Sequence, residues 1–151
     1  MRPRTSDNQT QHGAFLAEYP VDSPEYQATI AWFKTLPLWL DLGDLRVVHA
    51  CWDRELIRRV SETFDGSRLT DALLHRANPG RSLRDSHWEF RALETLLKGK
   101  EIPLPDGSHF LDRYGKKRHH IRIKWRDRQG TTYREKFLGA PDFETHIPDD
   151  E

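Results

Sequence analysis

The chain has a single cysteine, Cys51, so no disulfide forms within it, which fits a reducing compartment. No apolar run approaches the roughly 18 to 20 residues needed to cross a bilayer, and the opening residues hold no apolar segment of signal-peptide type. Charge of one sign is not in excess, with Lys+Arg and Asp+Glu at 24 each, so no net field draws the molecule to nucleic acid or to anionic membrane. Apolar residues are also scarce, 36% against 32% charged, which predicts either a thin core or a surface that more chain covers. The expectation is a soluble, cytoplasmic, single-domain protein over residues 1–151, with 1–13 and 141–151 flexible.

What is present is a mixture of helix and strand signals. Ser23, Pro24 and Glu25 form a helix start, and Tyr26, Ile30 and Phe33 follow at helical spacing as a buried face. Pro37 ends that helix. "LWLDL" and "LRVVHAC" then flank Gly43-Asp44, a pair suited to a two-residue hairpin turn. The adjacent Val47 and Val48 predict a central strand covered on both faces and ending near His49. Asp53 can cap a helix bearing Leu56, Ile57, Val60 and Phe64, and "LTDALLHRA" predicts a shorter one. A third helix has Trp88, Ala92, Leu96 and Leu97 inward and Gly99 as terminator. Beyond the "PLPDG" turn, "KRHHIRIKW" alternates, and Gln129-Gly130 returns it into "TTYREKFLG" as a second hairpin.

Among candidate chemical groups His49 is the most informative, because it stands where a strand gives way to a loop and then a helix. Ligands bind at the carboxyl ends of strands in α/β folds, and a neutral imidazole there suits a transition metal. The plainer alternative is a hydrogen-bonded core histidine. Cys51, between Ala50 and Trp52, is a buried structural thiol rather than a nucleophile. His119 and His120 are strand neighbours, so they point to opposite faces and cannot chelate one ion together. His12, His75, His87 and His109 have no partner at useful spacing.

The stretches "WFKTLPLWLDLGDLRVVHACWD" and "ETLLKGKEIPLPDGSHFLDRYGKKRHHIRIKW" resemble the central and later parts of bacterial calcineurin-like metallophosphoesterases, the group related to diadenosine tetraphosphatases and serine/threonine protein phosphatases. The resemblance runs from about residue 11 to about residue 140, and it is most specific in "LRVVHACWD" and "LLKGKEIPLPDG". It implies an α/β fold, a partial two-sheet sandwich with a helical middle and a terminal β-hairpin. It also implies a hydrolase of phosphate esters or dinucleoside polyphosphates that uses a pair of divalent transition metals of manganese or iron/zinc type. His49 matches the family's metal-binding histidine.

The family's other ligands come from motifs that are missing. They are a glycine-aspartate-x-histidine motif, a second glycine-aspartate motif, a glycine-asparagine-histidine-glutamate motif and a late glycine-histidine pair. Gly43-Asp44 continues into Leu45 and Arg46, and Thr145 rather than glycine precedes His146, so neither stands in for a ligand. One imidazole cannot hold two divalent ions against water. The expectation is an incomplete, inactive fragment whose partners are a phosphate-ester substrate and the missing N-terminal half.

The alternative function is a small nucleic-acid-binding or interaction module. Residues 113–128 hold eight Lys/Arg against Asp127 alone, with Tyr114 and Trp125 as possible stacking groups. A solvated sheet face guarding an edge explains the same cations, and nucleic acid is not the expected partner.

Overall fold

Several helix starts in this chain, though not those at Gly13 and Trp88, are set by capping oxygens. In a computed structural model, described over residues 6–64, 66–78, 80, 86–112, 114–139, 147 and 149, the Ser23 hydroxyl accepts from the Tyr26 N–H at 3.1 Å and opens α3 (Pro24–Thr35). Asp53 accepts from the Leu56 N–H at 3.0 Å ahead of α4 (Arg54–Phe64). Thr70 caps α5 (Asp71–Arg76) in the same manner. Each oxygen satisfies a backbone donor that has no partner inside its helix. The helix α6 (Trp88–Lys98) ends at Gly99, whose φ of 103° an L side chain rarely adopts.

Helices α4, α5 and α6 bury Leu56, Val60, Leu73, Ala92 and Leu96 against one another, and Leu38 and Trp39 close this first core from the side. Glu89 of α6 is buried within it. Arg76 of α5 lies 2.7 Å from its carboxylate, so the two helices share an ion pair at their contact. A buried carboxylate requires such a partner, because desolvation of an unpaired one is costly.

The strands form three separate two-stranded antiparallel sheets. The first pairs β1 (Trp39–Asp41) with β2 (Arg46–Val48), the second β3 (Glu101–Pro103) with β6 (His120–Arg122), and the third β4 (Phe110–Leu111) with β5 (Lys117–Arg118). A smaller second core of Leu104, Ile121, Phe137 and Ile147 lies between the latter two sheets and α7 (Tyr133–Lys136). The chain is therefore mixed α/β, with seven helices among the described residues. No helix among them is long and apolar enough to cross a membrane.

Several local expectations change. The opening segment is helical at α1 (Ser6–Gln11) and α2 (Gly13–Glu18) despite its lack of periodicity. On α3, Tyr26 and Ile30 are half-buried, but Phe33 is 44% exposed and no residue is fully buried. The strand before His49 is not central: β2 has one partner, and Val47 is 45% exposed. "TTYREKFLG" does not form the return strand of a hairpin. Thr132 and Glu135 complete a capping box that winds 133–136 into α7, leaving a single bridge between Ile123 and Phe137. Near the tail, Ile147 is buried in the second core, with its carbonyl accepting from Arg134 at 3.1 Å. The remainder of 141–151, apart from Asp149, lies outside the described residues.

Leu96 is fully buried at the centre of the first core. Leu96→Ala is expected to lower stability by about 2–5 kcal/mol. Urea denaturation checks this as a lower midpoint at unchanged slope.

Candidate functional site

Alternation along the β1–β2 hairpin separates an inner from an outer face. Trp39 and its partner Val48 pack into the first core, while Leu40 and its partner Val47 face outward at 41% and 45% exposure. The turn adds Leu42 and Leu45, which are 63% and 59% exposed. His49 follows Val48 and falls in step with Val47, so it stands exposed at the end of this outer apolar face. It borders a shallow apolar cavity of about 130 Å³ together with Pro37, Leu40 and Val47. Among the described residues its imidazole makes no hydrogen bond or ion pair, so it is not the satisfied core histidine that position alone suggests.

What holds His49 in place is the next residue. The Ala50 N–H donates to the Leu96 carbonyl at 3.1 Å, and the Ala50 carbonyl accepts from the Trp125 indole N–H at 2.7 Å. Cys51 beyond it is buried, and that burial pushes its thiol pKa up, which leaves the group protonated and unreactive. Asp53, the acid nearest to His49 in sequence, is occupied in capping α4.

Gly43-Asp44 is a turn, as its context suggests. The Leu42 N–H donates to the Leu45 carbonyl at 2.9 Å, Gly43 has φ 83°, and its N–H donates to Asp41. Asp44 is five residues from His49, about 16 Å along a strand, too far to share an ion. His146 lies outside the described residues. Among the described residues no group of three or more His, Cys, Asp or Glu is placed to hold a metal ion. The donor set at His49 is one imidazole, which does not fit a dinuclear metal centre.

The basic segment folds differently from a simple hairpin. The strand breaks at His119, so β5 and β6 are separate; His119 and His120 both border the groove beside them, and His120 also borders a second one lined by α4 and α6. His119 Nδ1 lies 3.1 Å from the Ser108 carbonyl, and its ring centroid is 5.7 Å from that of His109. Arg118 binds Asp112 through two nitrogens at 2.9 and 2.6 Å, and Arg122 pairs with Glu101 at 3.2 Å. Trp125 is occupied on Ala50, and Arg126 covers its ring at 4.8 Å, so it is not a free stacking platform. Tyr114 is 67% exposed. Sequence pattern gave no sign of the Ala50 clamp, because both of its contacts join residues far apart in the chain.

No family model, curated protein or solved structure matches this chain.

Asp112 organises the β4–β5 turn. The Lys116 N–H, then Arg118, then the Tyr114 N–H hold its carboxyl below the ordinary value of 3.8. A depressed folded-state pKa means a contribution complete above the unfolded value and lost as pH falls through the folded one. The Tyr114 and Lys116 amide resonances are therefore expected to move in an acid transition whose midpoint lies below 3.8. A transition centred above that pH would contradict the role given to Asp112.

Proposed function

We propose that this chain is part of a metal-dependent phosphoesterase in which His49 contributes one imidazole to a metal centre completed by residues outside the described set. The observation that carries the reading is the state of His49: an exposed imidazole with no partner among the described residues, held in place through Ala50, at the end of an apolar face that no other described element covers. A structural histidine would have its ring nitrogens satisfied, and a purely solvated one would not border an apolar cavity with the exposed Leu40 and Val47. The resemblance in "LRVVHACWD" names the same residue as a ligand.

The segment that brings the remaining ligands packs, in this reading, on Leu40, Leu42, Leu45 and Val47. Covering these residues supplies the driving force for assembly, and the same contact carries the carboxylates that a divalent pair needs. The substrates are phosphate monoesters, phosphoproteins or dinucleoside polyphosphates. The isolated chain does not hydrolyse them.

Complementation tests this reading. The chain is mixed with a separate polypeptide carrying the missing glycine-aspartate and asparagine-histidine motifs, and manganese-dependent hydrolysis of p-nitrophenyl phosphate is followed. Activity is expected only in the mixture, and His49→Ala should reduce it by at least the 10- to 100-fold typical of losing even an outer-shell partner of a metal. Hydrolysis by the isolated chain, or full activity of the mixture carrying His49→Ala, would overturn the proposal.

A further inference from the structure

Away from His49, the β4–β5 ladder brings two imidazoles together. Phe110 pairs with Arg118 and Leu111 with Lys117, so the same register, one step beyond these pairs, sets His109 opposite His119. Residues directly opposite in an antiparallel ladder have Cβ atoms about 4.5–5.5 Å apart and direct their side chains to one face. The two rings accordingly lie with centroids 5.7 Å apart, tilted by 44°. Both residues are exposed. His109, which has no partner at useful spacing along the chain, gains one across the strands.

Hydrogen bonding decides which nitrogen of His119 is available. Its Nδ1 lies 3.1 Å from the Ser108 carbonyl, which can only accept, so Nδ1 carries the proton and Nε2 of the neutral ring keeps its lone pair. An N–H donated to a backbone carbonyl in this way is what orients metal-binding imidazoles. His109 makes no hydrogen bond or ion pair among the described residues, so its ring nitrogens are uncommitted. The spacing suits a shared ion. With metal–nitrogen bonds of about 2.0–2.1 Å and each ring centroid about 1.1 Å behind its nitrogen, two imidazoles on one ion have centroids about 5 Å apart at a tetrahedral angle and about 6 Å apart as that angle opens.

The surrounding charge selects the kind of ion. Asp112 neutralises Arg118, but Lys117 has no ion-pair or hydrogen-bond partner among the described residues, and no third ligand group among them joins the two histidines. A hard cation such as calcium or magnesium needs oxygen ligands that are not supplied here, whereas zinc, nickel and copper are held by imidazole nitrogen. We propose that His109 and His119 form a surface site for one divalent ion of the zinc, nickel or copper type, bound through His119 Nε2 and one nitrogen of His109, with its remaining positions open to water. The ion bridges β4 and β5, a ladder of two residue pairs, and so fastens the turn that Asp112 organises. The proposal does not rest on the metal-ligand reading of His49, which belongs to a different sheet.

Calorimetric titration of the full chain with zinc chloride tests it. His109→Ala and His119→Ala should each weaken binding of the first ion by about tenfold or more, the least expected when even a hydrogen-bond partner of a metal ligand is lost. The double variant should lose little more than either single one, because one substitution already breaks the chelate. His120→Ala should bind as the parent does. Acidification should weaken binding, since protons compete for the same nitrogens. Histidine side-chain nitrogen spectra of the unsubstituted chain keep the test decisive if a variant fails to fold. At one equivalent of zinc, the His109 and His119 signals should move, with the His119 Nδ1–H retained and the His49 signals in place. Three results would overturn the proposal: no binding of zinc up to about 1 mM, parental affinity in a folded His109 or His119 variant, or a first equivalent that moves His49 or His120 instead.

Discussion

The backbone of Ala50 is the joint on which the arrangement depends. Its N–H is bound to α6 and its carbonyl to the Trp125 side chain, so one residue ties the β1–β2 hairpin to the first core and to the chain leading into the second. The Ile123 N–H to Lys100 carbonyl bond at 3.0 Å is a further connection between the segment after α6 and the chain of the second core. An indole N–H withdrawn from water needs an acceptor, and a carbonyl at a strand end needs a donor, so the contact satisfies two groups that would otherwise be costly to bury. With residue 50 fixed on both sides, residue 49 has little choice of direction, and the alternation of β2 turns it outward.

That outward direction connects the packing to the chemistry. The hairpin buries Trp39 and Val48 and leaves Leu40 and Val47 exposed, together with Leu42 and Leu45 of the turn. A two-stranded sheet is only marginally stable without a further layer or strand. Here the inner layer is provided by the helices and the outer one is not present among the described residues. The same limited coverage applies to the other small sheets, whose charged side chains guard their edges.

Much of the helical architecture was legible in the residues, because its causes are local. Ser23-Pro24, Asp53, Thr70 and Gly99 mark boundaries through capping oxygens and backbone preference within a few residues of the site where they act. Gly43-Asp44 was legible as a turn for the same reason. What was not legible depends on distant pairing. Nothing in "KRHHIRIKW" states that its middle would pair with Glu101–Pro103 rather than with "TTYREKFLG". In the latter, the strand-like aromatic and β-branched residues concealed the Thr132–Glu135 capping box, a helix signal that was present and outweighed. The strand break at His119 likewise follows from tertiary pairing on both sides, with β5 bound to β4 and β6 to β3. At the candidate site, His49 could be singled out by position and resemblance, whereas the Ala50 clamp that orients it joins residue 50 to residues 96 and 125.

The central claim is that Ala50 is locked and that His49 is thereby held outward on an uncovered face. Native-state hydrogen exchange of the Ala50 amide tests this most directly. If the claim holds, that amide exchanges only through global unfolding, with the same opening free energy as amides at the centre of α6. Exchange at the fast rate of exposed loop amides would show that the joint is open in solution, and would contradict the account.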